Sequence, residues 1–309
     1  MDYVLTLVCA SNTDNLDSSI VAEATHALNA QNAQTGEPDW LAENIACDIP
    51  FTGLDLIQAR TCVDLQLEGF PIDAVSQEAQ NRRKKLLIAD MDSTMVIGET
   101  LDELADYADC KEQVSDITIR AMRGELRFVE ALRERVSLLE GLSEKALQET
   151  CDKIDLMPGA QRLIATMKAN GAKTMLVSGG FDFFTRRVAD WIGFDGNKGN
   201  RLEIINGALT GKVIDPIVNK DAKLEVLYAL CAQHSIAIND TVAVGDGAND
   251  LPMLMSAGLG VAYHAKPIVS AHTRIGIEHA DLTALLYLQG YREHEIVSPD
   301  YCRRPTVAR

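Results

Sequence analysis

LLIADMDST, residues 86–94, is the stretch on which the fold turns: an apolar run leads into two aspartates two positions apart and then into hydroxyl side chains. Two later stretches repeat the plan, TMLVSGG at 174–180 and TVAVGDGAND at 241–250, each an apolar run ending in a polar loop. Helical stretches separate the three. Continuous apolar strands alternating with helices predict an α/β fold whose parallel sheet is covered on both faces. Ligands of such sheets bind beyond the carboxyl ends of the strands, where the three loops are expected to converge.

Between the first two stretches, residues 99–155 are rich in Glu, Arg, Leu and Ala and hold no obvious parallel strand. An insert that follows the first loop so closely is placed to sit over the same strand ends as a helical cap, at about 97–157. Toward the N-terminus, YVLTLVC (3–9) reads as a strand, and Asp17-Ser18-Ser19 opens a helix to about residue 31. After the turn-like TGEPDW (35–40), the expected order is a strand at 43–49, a helical patch at 53–62 and a strand at 70–76, together a small α+β unit. The charged segment 78–85, with Arg82-Arg83-Lys84-Lys85, reads as a solvated connection rather than a nucleic-acid patch. The domains are therefore drawn at 1–80 and 81–309, and the tail YCRRPTVAR is expected to be mobile.

A chain of 309 residues with 47% hydrophobic residues can bury a substantial core, and its net charge of −16 disfavours nonspecific nucleic-acid binding. The seven cysteines show neither CxxC nor zinc-like spacing, and no run approaches the ~20 apolar residues of a membrane span. With an acidic N-terminus and no apolar stretch of signal-peptide length, the expected setting is the cytoplasm. An acidic protein that handles an anion must concentrate positive charge locally.

Asp90 and Asp92 at one strand end are costly unless a cation compensates them, and a hard divalent ion such as Mg²⁺ suits oxygen ligands beside phosphate. Alone, ADMDST would be read as a helix cap and a turn. GDGAND adds Asp246 and Asp250 at a second strand end, and four converging acids make a metal site the better account. Ser178, Gly179 and Gly180 read as a turn before a helix whose hydroxyl and open N–H groups can hold phosphate oxygens. Lys223, near a helix start, is the candidate balancing cation.

DMDST, SGG, a helix-borne lysine and GDGAND, in that order and with a helical insert after the first, resemble the haloacid dehalogenase superfamily and within it the branch acting on O-phospho-L-serine. The resemblance covers about residues 86–290, including ETLDELA (99–105), AMRGELRFVEALRERVSLLEGL (121–142) and VAYHAKP (261–267). It implies a Rossmann-like sheet with a helical cap and a Mg²⁺-dependent phosphatase. Asp90 would be the nucleophile, read here as ionised and exposed, and Asp92 the general acid and then base. The same likeness implies that Asp90, the Asp92 carbonyl and Asp246 hold Mg²⁺, with Thr94, Gly180 and Asp250 in support. Ser178, Gly179, Lys223 and Asn249 would hold phosphate, and Glu99, Met122, Phe128 and Arg135 would hold the amino-acid part. Without the likeness, Glu99 and Arg135 read as surface charges on an amphipathic cap.

Residues 1–76 resemble the ACT-type regulatory module, which implies amino-acid binding or a homodimer, although no ligand motif stands there. Two other functions remain open: a phosphatase or phosphotransferase for another small phosphoester, and a catalytically silent serine sensor.

Overall fold

The computed structural model describes residues 1–11, 15–122 and 125–298; the side chain of Met122 and the YCRRPTVAR tail lie outside the described residues. The N-terminal unit runs β1 (Tyr3–Cys9), α1 (Ser18–Ala30), β2 (Gln34–Thr35), β3 (Asp39–Ala42), β4 (Ala46–Thr52), α2 (Leu56–Gln66) and β5 (Ile72–Glu78). Its antiparallel strands lie in the order β2-β4-β1-β5, with β3 also paired to β4. Both helices start at aspartate caps: Asp17 accepts from the N–H groups of Ser19 and Ile20, and Asp55 from those of Ile57 and Gln58. The strand expected at 43–49 is β4, which starts at Ala46, and a further strand not foreseen, β3, precedes it where a turn was expected; Asn44, at a left-handed φ of 58°, turns the chain between them. The second helix also lies several residues beyond the expected patch, starting where Asp55 caps it.

The larger unit begins with β6 (Leu86–Ala89) and continues through the cap helices α3 (Thr100–Tyr107), α4 (Lys111–Met122), α5 (Phe128–Ser137) and α6 (Glu144–Lys153). It resumes with α7 (Ala160–Ala169), β7 (Lys173–Phe181), α8 (Asp182–Ile192), β8 (Gly196–Ile205), β9 (Ala208–Ile214), α9 (Lys220–His234) and β10 (Thr241–Gly245). It closes with α10 (Leu251–Ser256), β11 (Leu259–Tyr263), α11 (Pro267–Ser270), β12 (Ile275–Ile277) and α12 (Ala284–Leu288). The sheet order is β12-β11-β10-β6-β7-β8-β9. All neighbours are parallel except the β8–β9 hairpin, which the sequence reading did not foresee.

β6 is fully buried at every residue because it lies between β7 and β10, which is why LLIA carries no polar alternation. The cap hangs from two paired linkers. The Ile97 N–H donates to the Asp155 carbonyl at 2.9 Å, and the Met157 N–H to the Met95 carbonyl at 2.9 Å.

In the smaller sheet, alternation sends Leu5, Leu7, Cys47, Ile49 and Phe51 to a core under α1 and α2. The opposite face belongs to the other domain: Val8, Ala46 and Val75 share one core with Leu282, Leu286 and Tyr287. Polar groups complete this contact. Asp73 of β5 accepts from the N–H groups of Glu278, His279 and Ala280 at 2.7, 3.1 and 2.8 Å. Arg82 pairs with Asp48 and donates to Thr6 Oγ1 and to the carbonyls of Tyr287 and Leu288.

The segment 78–85 is therefore not a purely solvated connection. The Arg82 side chain is only 12% exposed because all three of its guanidinium nitrogens find acceptors, drawn from both domains. Arg82→Ala would leave Asp48 charged, buried and short of its counter-ion, and should cost about 3 kcal/mol of stability. Equilibrium urea unfolding measures this, and a loss under about 1 kcal/mol would contradict the weight placed on the pair.

Candidate active site

The carboxyl ends of β6, β7 and β10 deliver the three polar loops to one place. Asp90 follows β6 directly, its N–H donating to the Val244 carbonyl of β10 at 3.0 Å. It is buried at 5% exposure, so the expectation of an exposed carboxylate is corrected: it sits at the end of a central strand with the buried Lys223 of α9 against it. Lys223, one turn into α9 and wholly buried, places Nζ 2.7 Å from Asp90 Oδ1 and 2.6 Å from Asp250 Oδ1. Burial works against the ammonium, yet Asp250 and Asp90 outweigh it and hold its pKa above the usual lysine range. Asp250 also accepts from the Gly247 N–H at 3.0 Å, which ties the GDGAND turn to the lysine.

Carboxylate oxygens of Asp90, Asp246 and Asp250 lie within 4.8 Å of one another. Burial, with the charge of Asp90 adding to it, raises the pKa of Asp246. Asp90 Oδ1 is buried and accepts no well-aligned hydrogen bond, its contact with Lys223 being an ion pair. An acid cluster crowded in this way, all oxygen and with one buried Asp90 oxygen without a well-aligned hydrogen-bond donor, fits a hard divalent cation. Asp250 sits in this group although its nearest charge is Lys223, whereas the Asp92 side chain turns elsewhere. Thr94 donates to Asp246 Oδ1 at 3.4 Å.

Asp92 leaves the strand direction: its Oδ1 accepts from the Thr100 N–H at 2.9 Å, at the start of the cap, and its Oδ2 from Ser178 Oγ at 3.3 Å. Burial pushes its pKa up to about 6, against the Thr100 N–H, with Asp90's charge adding to the rise. Such a carboxyl can both give and take a proton near neutrality. SGG does not lead straight into a helix as expected: it forms an irregularity in β7, whose register against β8 shifts between Val177 and Phe181, with the Gly180 N–H donating to Ser178 Oγ at 2.8 Å, and α8 starts only at Asp182. Asn200, fully buried on β8, holds this segment: it accepts from the Val218 N–H at 2.7 Å and donates to the Gly179 carbonyl at 2.7 Å. Asn200 lies in KGN, a triplet that carries no chemical signal in sequence.

From the cap, Phe128 closes over SGG, its ring so near that a methyl on Gly179 would meet Cζ at 3.1 Å. Glu99, just before α3, accepts from Ser93 Oγ at 3.3 Å; burial raises its pKa, Asp92 raising it further and Lys266 opposing. Lys266, within VAYHAKP but given no role from sequence, stands 3.4 Å from Asp246 Oδ2 and 3.7 Å from Glu99 Oε1. Arg135 on α5 is half-buried, donating to the Ala131 carbonyl and to Thr118 Oγ1 at 3.3 and 3.4 Å. Among the described residues no carboxylate lies in ion-pair range of it. Asn249 is half-buried in the GDGAND turn, its Oδ1 beside Gly247. Met122 ends α4, its side chain outside the described residues.

A parallel sheet whose strand ends gather acids around a buried lysine, under a helical lid on paired linkers, defines a capped α/β phosphatase. The family model of haloacid dehalogenase-like hydrolases matches residues 87–255, and the chain belongs to that family. It is 36% identical over 295 residues to a phosphoserine phosphatase of Streptomyces coelicolor, covering 92% of this chain and 72% of that one. A crystal structure of a probable phosphoserine phosphatase from Vibrio cholerae superposes with a TM-score of 0.77 at 31% identity, covering 95% of this chain and 88% of that one. A phospho-aspartyl intermediate analogue of phosphoserine phosphatase matches with a TM-score of 0.63 at 41% identity, covering 66% of this chain and 98% of that one.

Gly180 gives a local test of the site. A methyl there would stand 2.8 Å from Asp92 Oδ2 and 3.1 Å from Ser178 Oγ. Gly180→Ala should displace Asp92 and lower kcat on the order of 10²-fold, with the melting temperature within a few degrees of wild type. An unchanged kcat would show that the position of Asp92 is not critical.

Proposed function

We propose that this chain hydrolyses O-phospho-L-serine to L-serine and phosphate through a phospho-aspartyl intermediate on Asp90, the last step of serine biosynthesis. The observation that carries the substrate reading is the pair of opposite charges outside the phosphate pocket. Glu99 lies beside the acid cluster, and Arg135 holds a half-buried guanidinium that feels Asp102 and Glu99 but has no carboxylate in ion-pair range among the described residues. An ammonium and a carboxylate on one small substrate answer both. Phe128, over Gly179, shuts the apolar side of that space, and Met122 is assigned to the same lid.

In the first half-reaction an Asp90 oxygen attacks phosphorus in line, the P–O bond to serine breaks, and Asp92 gives its proton to the departing serine oxygen. Lys223, Ser178 Oγ and the Gly179 N–H take the phosphoryl oxygens, with Asn249 contributing its amide; Thr94, Gly180 and Asp250 keep the acids, loop and lysine in place. In the second half-reaction Asp92, now ionised, takes a proton from water, whose oxygen attacks phosphorus as the bond to Asp90 breaks. Asp90, Asp246 and the Asp92 carbonyl would hold Mg²⁺, which when bound neutralises charge on the transferring group.

The N-terminal unit is assigned as an ACT-like module for dimerisation or effector binding. Its β-α-β-β-α-β order, with β3 an extra short strand, supports this. A cleft of about 520 Å³ beside α1, lined by Thr25, His26 and Trp40 among others, lies in this unit and away from the acids. No helix among the described residues is long and apolar enough to cross a membrane. A reducing, cytoplasmic setting is supported by the buried thiols of Cys9, Cys47, Cys110 and Cys231.

A phosphate-release screen over small phosphoesters, with and without Mg²⁺, tests the whole reading: phosphoserine should be the preferred substrate and chelation should abolish turnover. Asp90→Asn should leave under a few per cent of activity and no acid-stable phosphoenzyme, because the amide is a poor nucleophile. Arg135→Ala should lose roughly 2–4 kcal/mol of transition-state stabilisation toward phosphoserine and little toward an aryl phosphate. Equal losses on both would return the substrate to an unspecified phosphoester.

A further inference from the structure

Two lysines reach the acid cluster, and they are held in opposite ways. Lys223 has no exposed surface and short contacts on two core acids. Lys266 has a pinned backbone and a loose head. Its N–H donates to the Asp246 carbonyl at 3.1 Å, and its own carbonyl accepts from the Val269 and Ser270 N–H groups at 2.8 and 3.2 Å as α11 begins. Two residues earlier, His264 takes a left-handed φ of 43°, kept there by its N–H on the Ile277 carbonyl at 2.8 Å and by its ring on the Ala280 carbonyl at 3.1 Å. This loop therefore returns the Lys266 backbone to one place. Its side chain is 44% exposed, and Nζ stands at the longer distances of 3.4 Å from a core acid, Asp246, and 3.7 Å from a cap acid, Glu99.

Contacts of that length at a solvated mouth restrain a flexible ammonium weakly. They still lower the negative potential at both carboxylates, and both are assigned to other cations: Asp246 to the metal, and Glu99 to the substrate's ammonium. We propose that Lys266 is a built-in counter-ion that holds the place of those two cations between Asp246 and Glu99 and yields to each as it binds. The ammonium half rests on the phosphoserine reading above; the metal half rests only on the acid cluster. A lysine acting instead as a tether from core to cap would have the opposite sign, since its loss would free Glu99 and weaken both ligands.

Isothermal titration calorimetry on the full chain separates these signs. Wild type, K266M and K266R would each be titrated with MgCl₂ alone and then, at saturating Mg²⁺, with L-serine, which carries the ammonium without the phosphate. Removal of a competing charge should tighten both Kd values about three- to tenfold in K266M, while K266R stays near wild type. Should K266M unfold below the wild-type temperature, K266Q carries the same expectation. Unchanged or weaker Mg²⁺ binding in a folded variant overturns the proposal. Tighter Mg²⁺ with unchanged L-serine overturns its ammonium half. Phosphate release from phosphoserine by wild type reports on the substrate reading alone, so failure of that reading is distinct from failure of the role given to Lys266.

Discussion

The ammonium of Lys223, buried between Asp90 and Asp250, is the contact on which the site depends. Removing a lysine from water is expensive, and only two carboxylates within hydrogen-bond reach offset it. That need places the first turn of α9 against the ends of β6 and β10. It also draws Asp250 inward, which in turn holds the Gly247 N–H. Asp246, Thr94 and the Lys266 backbone are then arranged around a turn already fixed from inside.

Asp90 and Asp92 illustrate how little separation two acids need to acquire different work. Asp90 faces Lys223 in the core, while two residues on Asp92 spends its oxygens on the first N–H of the cap and on Ser178. Core and cap thus share one carboxylate. A change in cap position is felt directly by the residue assigned to move protons, without any relay.

The N-terminal unit is joined to the larger one by more than a covalent link. Asp73 takes three consecutive N–H groups after β12, and Arg82 spans Thr6, Asp48 and two carbonyls at α12. Those three N–H donors directly follow the strand whose Ile277 carbonyl receives the His264 N–H. The smaller sheet thereby supports the loop that leads to Lys266. Burial of these charges at the contact favours one relative placement of the two units, because a shifted one would leave them unpaired.

Three central strands of the larger sheet, β6, β7 and β10, and the four acids were legible in the sequence because each of these strands is a short apolar run that ends in chemistry, a local pattern needing no knowledge of partners. The helical cap was legible for the same reason, as a long stretch of helical spacing without strands. Other features depended on residues far apart in the chain. Nothing in KGN announces that Asn200 will hold the Gly179 carbonyl and so fix the irregular end of β7. Arg82 read as solvated because basic runs usually are; only docking of two domains supplies acceptors for its fan of donors. Lys266 likewise becomes notable only once Asp246 and Glu99, distant in sequence, lie on either side of its ammonium. Residue type and local period determined the three strands that carry the site, the cap and most of the reactive groups. Tertiary structure decided which charges meet, because pairing and desolvation depend on distances that the chain sets only when it closes on itself.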